Sequence, residues 1–193
     1  MLSKISTLIL GVLYEKERNP YEITKMLKDL KLRKWFNVAD STVYATINNL
    51  RKQGLVDGTT SKEGRFPEKT VYSITAEGEF ELHNTISAYL EKNDPDGAKF
   101  DIAILLLHHL SKDEVLQKLK IKLENLESST FEIKTQIVNL ERDRTVAFTG
   151  LLMLKHRLYM AETEIRTIKE IIRAFNVKED INGPTAFDVS LVK

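Results

Sequence analysis

Two apolar series in the second half of the chain step by three and four residues. The first is Leu116, Leu119, Leu123, Leu126, Thr130, Ile133, Ile137 and Leu140, and the second Leu151, Leu154, Leu158, Ala161, Ile165, Ile168, Ile172 and Phe175. A stripe held at that spacing over several heptads stays on one side of a helix only if the helix meets a partner along its length, so it fits a coiled coil better than a globular helix face. Only Thr130 interrupts the first seam. Ser111 and Glu114 have the spacing of a capping box and start the first of these helices. The stretch from Arg142 to Gly150, with Thr145 and Thr149, is the natural turn between them, which gives an antiparallel hairpin of helices each about 40 Å long. The heptad phase also runs through Arg144 and Ala147, so one continuous helix stays open.

Packing the two seams together leaves Phe131, Phe148, Leu152, Tyr159 and Ile171 outside. A second copy of the chain is the simplest cover, so a homodimer is expected. Just ahead, Phe100, Ala103, Leu106, Leu107 and Leu110 make a short, strongly apolar helix that must be almost wholly covered. The tail after Asn176, with Gly183 and Pro184, is either loose or an arm laid on a partner.

The first half is built differently. Ile5, Leu8, Ile9, Val12 and Leu13 recur at helical spacing. Asn19 and Pro20 suit the start of a second helix whose stripe is Ile23, Leu27 and Leu30. A less regular stretch carries Trp35 and Phe36. A third helix starts at Asp40 or Ser41, buries Val43, Ile47 and Leu50, and ends at Gly54. Leu55 and Val56 begin a strand, a polar tip runs from Ser61 to Glu68, and Lys69 to Ile74 returns as a second strand. Thr75 can cap a further helix with Phe80, Leu82, Ile86 and Leu90. Asn93, Asp94, Pro95, Asp96 and Gly97 then form the clearest breaker in the chain. Three helices followed by a hairpin is the order of a winged helix. The expected organisation is therefore mostly α: a winged helix-turn-helix with a two-stranded wing over residues 1–92, a long-helix, antiparallel coiled-coil-like dimerisation domain over 98–176, and a tail over 177–193.

Composition sets bounds on this. With 193 residues, 42% hydrophobic and 30% charged, the chain has the make-up of a soluble globular protein of two small domains. It has no cysteine, so disulfides, thiolate metal sites and cysteine nucleophiles are excluded, and a reducing, cytoplasmic setting is favoured. The apolar run from Ile5 to Tyr14 is too short to span a bilayer, which needs about 20 residues, so no membrane partner is expected. The net charge of +1 conceals an imbalance: residues 1–75 hold 13 Lys and Arg against 8 Asp and Glu, and the rest hold 16 against 20. That is a weak pointer to a polyanion.

A helix that enters a DNA major groove must be slim and polar on one face while a core holds the other. Opposite Val43, Ile47 and Leu50, the third helix carries Ser41, Thr42, Ala45, Asn48, Asn49 and Lys52, with Tyr44 and Arg51 on its flank. The hairpin tip adds Lys62, Arg65 and Lys69 beside it. The same residues also suit a solvated helix face and an ordinary polar turn, and pattern alone divides the two readings evenly.

The run Ile9-Leu10-Gly11-Val12-Leu13, then Pro20-Tyr21-Glu22-Ile23, then Ser41-Thr42-Val43-Tyr44 resembles the PadR family of transcriptional regulators. The match continues through Leu50, Gly54-Leu55-Val56 and Tyr72-Ser73-Ile74-Thr75 with Gly78, and covers about Leu2 to Leu82. Pro20 stands where the family usually has glycine, Ala45 where it often has proline, and Ile74 in a leucine place. The resemblance implies a sequence-specific regulator of double-stranded DNA. It implies contacts from Ser41, Thr42, Tyr44 and Asn48 on the recognition helix and from Lys62 and Arg65 on the wing, while the charge of Lys52, read from its position alone, would neutralise backbone phosphate. It further implies C-terminal helices that dimerise, a repressor on an inverted-repeat operator, and a small-molecule effector for which Trp35 and Phe36 are candidate wall residues.

No phosphate-cradling glycine loop, nucleophile elbow or dinucleotide fingerprint is present, so no enzyme, catalytic residue or cofactor is expected. The histidines His83, His108, His109 and His156 have no metal-binding spacing and read as surface or core residues, so no metal is expected. The competing reading, from another class, is a coiled-coil interaction module whose winged helix binds protein.

Overall fold

The computed structural model describes residues 1–61, 69–94, 97–142 and 148–177, together with Phe187. It divides into two compact units. One holds residues 1–90, 94–110 and 182–193, and the other residues 91–93 and 111–181.

The first unit is organised around α1 (Lys4–Glu15), which buries Leu8, Ile9, Leu10, Val12 and Leu13 and contacts α4, β2 and α6. Ser3 caps it by accepting the Ser6 amide at 3.1 Å. Helix α2 (Pro20–Asp29) starts as expected from Asn19 and Pro20, and a full capping box strengthens that start. The Asn19 side chain accepts the Glu22 amide at 3.0 Å, and the Glu22 carboxylate accepts the Asn19 amide at 2.9 Å. The irregular stretch that follows contains a single helical turn, α3 (Leu32–Trp35). Lys31 and Asn37, at φ of 59° and 51°, turn the chain on either side of it.

Helix α4 (Asp40–Lys52) buries Val43, Ile47 and Leu50, as the spacing predicts. Its end is a Schellman motif. The Gly54 amide donates to Arg51 and the Leu55 amide to Leu50, both at 3.0 Å, with Gly54 at φ 73°. Strands β1 (Val56–Ser61) and β2 (Lys69–Ile74) pair antiparallel in the register Val56 to Ile74 through Ser61 to Lys69. Arg18 adds a bridge to Tyr72 through amide-carbonyl bonds of 3.0 and 2.9 Å, so the α1–α2 connection runs along the open side of β2. Spacing within one segment could not reveal that pairing.

Helix α5 (Ala76–Glu91) is capped by Thr75, whose hydroxyl accepts the Gly78 amide at 3.0 Å and donates to the Gly54 carbonyl at 2.8 Å. Gly78 faces the Leu55 carbonyl so closely that a Cβ would collide with backbone. Helix α6 (Ala98–Leu105) leads into a 3-10 turn, Leu107–His109. It is covered as its composition demands, with Phe100, Ile102, Ala103 and Leu106 buried and α1 as a neighbour. The Leu106 side chain lies where a Cβ on Gly11 would be, 2.6 Å from its nearest methyl. Phe187 of the tail is also buried and clusters with this unit.

The second unit is a helical pair, α7 (Lys112–Arg142) and α8 (Phe148–Val177), of 31 and 30 residues. The ion pairs Lys134–Glu162 and Lys155–Glu141 at 2.8 Å and Lys169–Glu127 at 2.7 Å fix it as antiparallel, because partners later in α7 pair earlier in α8. Two antiparallel helices fit the hairpin reading of this half, and the connection itself, residues 143–147, lies outside the described ones. Leu119, Leu126, Thr130, Ile137, Leu158 and Ile168 are buried on the seam. Beside them is a residue the heptad pattern missed: Lys122 is fully buried, donates to the Lys92 carbonyl at 2.7 Å and lies 2.9 Å from the Glu164 carboxylate. A buried ammonium is tolerable only with such partners. Among the described residues, no helix is long and apolar enough to cross a membrane.

Candidate nucleic-acid interface

The face of α4 opposite its core stripe is open. Ser41, Ala45, Asn48 and Lys52 lie on successive turns along one side and are all exposed. Tyr44 stands on the flank at 47% exposure, and Thr42 is half-buried. This puts short hydroxyl and amide groups on a ridge narrowed by Ala45, with a cation at its C-terminal end. Arg51 is exposed beside Lys52.

The wing residues Lys62 and Arg65 lie outside the described residues. Lys69 lies inside them and is engaged, pairing with Glu22 at 3.3 Å and so bracing β2 against the start of α2. Burial would raise the Glu22 pKa, but the hydrogen bonds from the Asn19 amide and Lys69, with Lys69 and Arg18 charge nearby, hold it below the ordinary carboxylate value.

A positive concavity that the sequence did not announce sits just before α4. Lys28, Lys31, Arg33 and Lys34 line it with Asn37 and Ala39, around a volume of about 480 Å³. Arg33 is partly neutralised, since its guanidinium pairs with Asp40 at 2.7 Å and donates to the Val38 carbonyl. Lys28, Lys31 and Lys34 are exposed. The only sequence signal for this cluster was the excess of positive charge in the first part of the chain.

Trp35 is 69% exposed and Phe36 half-buried. Neither lines that concavity. Two of the four histidines come together with a carboxylate from elsewhere. His108 Nε2 is 2.7 Å from Glu15 Oε1, and the His109 ring lies 4.3 Å from both the His108 and the Tyr14 ring centroids. Burial, with His108 and His83 nearby, pushes the His109 imidazole down to about 3.

Comparison with known proteins places this arrangement. Residues 9–84 match the model of the "Transcriptional regulator PadR-like family", a span that runs from α1 through the hairpin into α5. The "Negative transcriptional regulator PadR" of Bacillus subtilis (strain 168) is 27% identical over 128 residues, covering 63% of this chain and 70% of that protein. Among solved structures, B. subtilis PadR in complex with operator DNA is 20% identical, covers 91% of this chain and 99% of its own, and has a TM-score of 0.43. A Streptococcus mutans UA159 protein is 23% identical over 90% of this chain and 99% of its own, at a TM-score of 0.41. Both the family and the curated relative are named as regulators of transcription. Residues 9–84 therefore form a domain similar to those of the PadR-like family of transcriptional regulators.

Proposed function

We propose that this regulator represses transcription by binding an inverted-repeat operator in double-stranded DNA as a homodimer. The observation that carries the proposal is the division of α4 into a fully buried stripe, Val43, Ile47 and Leu50, and an exposed polar ridge, Ser41, Asn48 and Lys52. A helix held on one side and slim on the other is what a major groove admits. Thr42 and Tyr44 complete the proposed contact set, with Lys62 and Arg65 on the wing. The exposed lysines 28, 31 and 34 supply the backbone neutralisation that positions such a helix. Repression is favoured by the curated relative, which is named a negative regulator.

The dimer is supported by apolar side chains that the α7–α8 pair leaves in water. Phe131 is 73% exposed, Phe148 71% and Tyr159 61%. Monomeric proteins rarely expose so many large apolar groups on one pair of helices. Two α4 helices in such a dimer would read half-sites about one helical turn, or a multiple of it, apart. A small-molecule effector, the proposed release signal, would act by preferring one arrangement of the two reading helices. Trp35 and Phe36 are the proposed contact pair, and the exposure of Trp35 makes it available.

The test is gel retardation and nuclease footprinting on the DNA upstream of the protein's own coding sequence. A protected inverted repeat is the expected result. No retardation with any upstream fragment would sink the proposal in favour of a winged helix that binds protein.

A further inference from the structure

The end of α1 and the 3-10 turn after α6 bring together three groups that the DNA-binding proposal leaves unused. Glu15, the last residue of α1, places a carboxylate oxygen 2.7 Å from His108 Nε2. His109 follows on the same turn, its ring tilted 41° to that of His108. The donor atoms of Glu15, His108 and His109 all lie within 4.8 Å of one another. His109 Nε2 is buried and has no hydrogen-bond partner, an expensive state for a polar nitrogen.

The surroundings hold these groups in place. Leu106 and Leu110, on either side of the turn, are buried, and Leu106 packs into the space left open by Gly11 on α1. The Tyr14 ring meets His109 edge-on at 4.3 Å. Carboxylate and imidazoles therefore come from two packed elements.

From this geometry we infer a binding site for a divalent transition-metal ion of the zinc class, with Glu15, His108 and His109 as its protein ligands. Two imidazole nitrogens and one carboxylate oxygen are a donor set suited to Zn²⁺, which takes bonds of about 2.0–2.2 Å to such atoms and leaves a fourth position for water. The donor atoms already lie within 4.8 Å of one another, so the ion needs only local rearrangement of these three side chains. Coordination through Nε2 would give the unpartnered His109 nitrogen a partner for its lone pair. It also replaces the His108–Glu15 hydrogen bond by two metal bonds and releases the proton they share. The ion fastens the end of α1 to the turn that follows α6, so its first effect is on stability.

The experiment uses the full, tag-free chain after chelator treatment. It measures Zn²⁺ by calorimetric titration, Co²⁺ by visible absorption and melting temperature with and without Zn²⁺. One ion per chain, a Co²⁺ spectrum with d–d bands and a raised melting temperature are expected. His109→Gln and Glu15→Gln should each weaken Zn²⁺ binding about tenfold or more and abolish the thermal shift. His156→Gln, on α8, should leave both unchanged. Circular dichroism of each variant confirms that it folds, and His108→Gln stands in for any that does not. No saturable binding at submillimolar Zn²⁺, or binding of equal strength in folded His109→Gln and Glu15→Gln, would overturn the inference.

Discussion

Asn48 shows how a single side chain carries the proposed reading face. It is exposed, one turn beyond Ala45 and one turn before Lys52, and is not among the buried residues that hold α4. Removing its amide should leave stability unchanged while weakening operator binding. Each good side-chain contact to a base edge is worth about 1–3 kcal/mol of discrimination, so Asn48→Ala should lose about tenfold or more in affinity for its own operator with the same melting temperature. A fall in melting temperature matching the loss of binding would mean that Asn48 supports the fold instead. Gly78 is the opposite case, a residue with no chemistry whose size is decisive. Its missing Cβ lets the first turn of α5 pass the Leu55 carbonyl, which is backbone and cannot give way. Gly78→Ala should therefore cost at least the ~1–3 kcal/mol typical of overpacking, measured by urea denaturation. The corresponding change at Gly11 meets only the flexible end of Leu106 and should be milder.

At the scale of elements, what could be read from sequence was local. The stripe of α4, its glycine stop at Gly54, the Asn19 cap and the hairpin each lie within one helix, one cap or two neighbouring strands, where spacing and turn chemistry determine conformation. The Arg18–Tyr72 bridge, the Lys69–Glu22 pair and the Glu15–His108 contact join residues far apart in the chain, and periodicity contains no information about them. Lys122 was hidden for another reason, since a lysine next to a heptad seam is ordinarily a solvated residue and here is enclosed by Lys92 and Glu164. The bracing of α2 by Lys69 carries a pH signature. The Glu22 carboxyl is held below its ordinary value of 4.5, so the stability it contributes is present above that pH and is lost as pH falls through the lowered folded value. Glu22→Gln keeps a side chain able to complete the capping box but removes the charge. Its urea midpoint should fall less steeply than that of the wild type below about pH 4.5, and parallel acid limbs would contradict this.

At the scale of the whole molecule, the proposed function has α4 and the positive surface beside it engage DNA while the α7–α8 pair joins two chains. The joining half is tested by size: Phe131→Asp with Tyr159→Asp should shift the scattering mass from two chains to one while the helical circular dichroism is kept, because both side chains are exposed in the isolated pair. An unchanged dimer would place the interface elsewhere. The DNA-binding half is tested most directly by the salt dependence of affinity for the upstream fragment. Every phosphate neutralised by a lysine or arginine releases counterions, so the logarithm of the binding constant should fall linearly with the logarithm of salt, with a slope of about −0.9 per contact. A steep negative slope, made shallower when Lys28, Lys31 and Lys34 are changed to glutamine, is the expected result; affinity that is weak and insensitive to salt would contradict the claim.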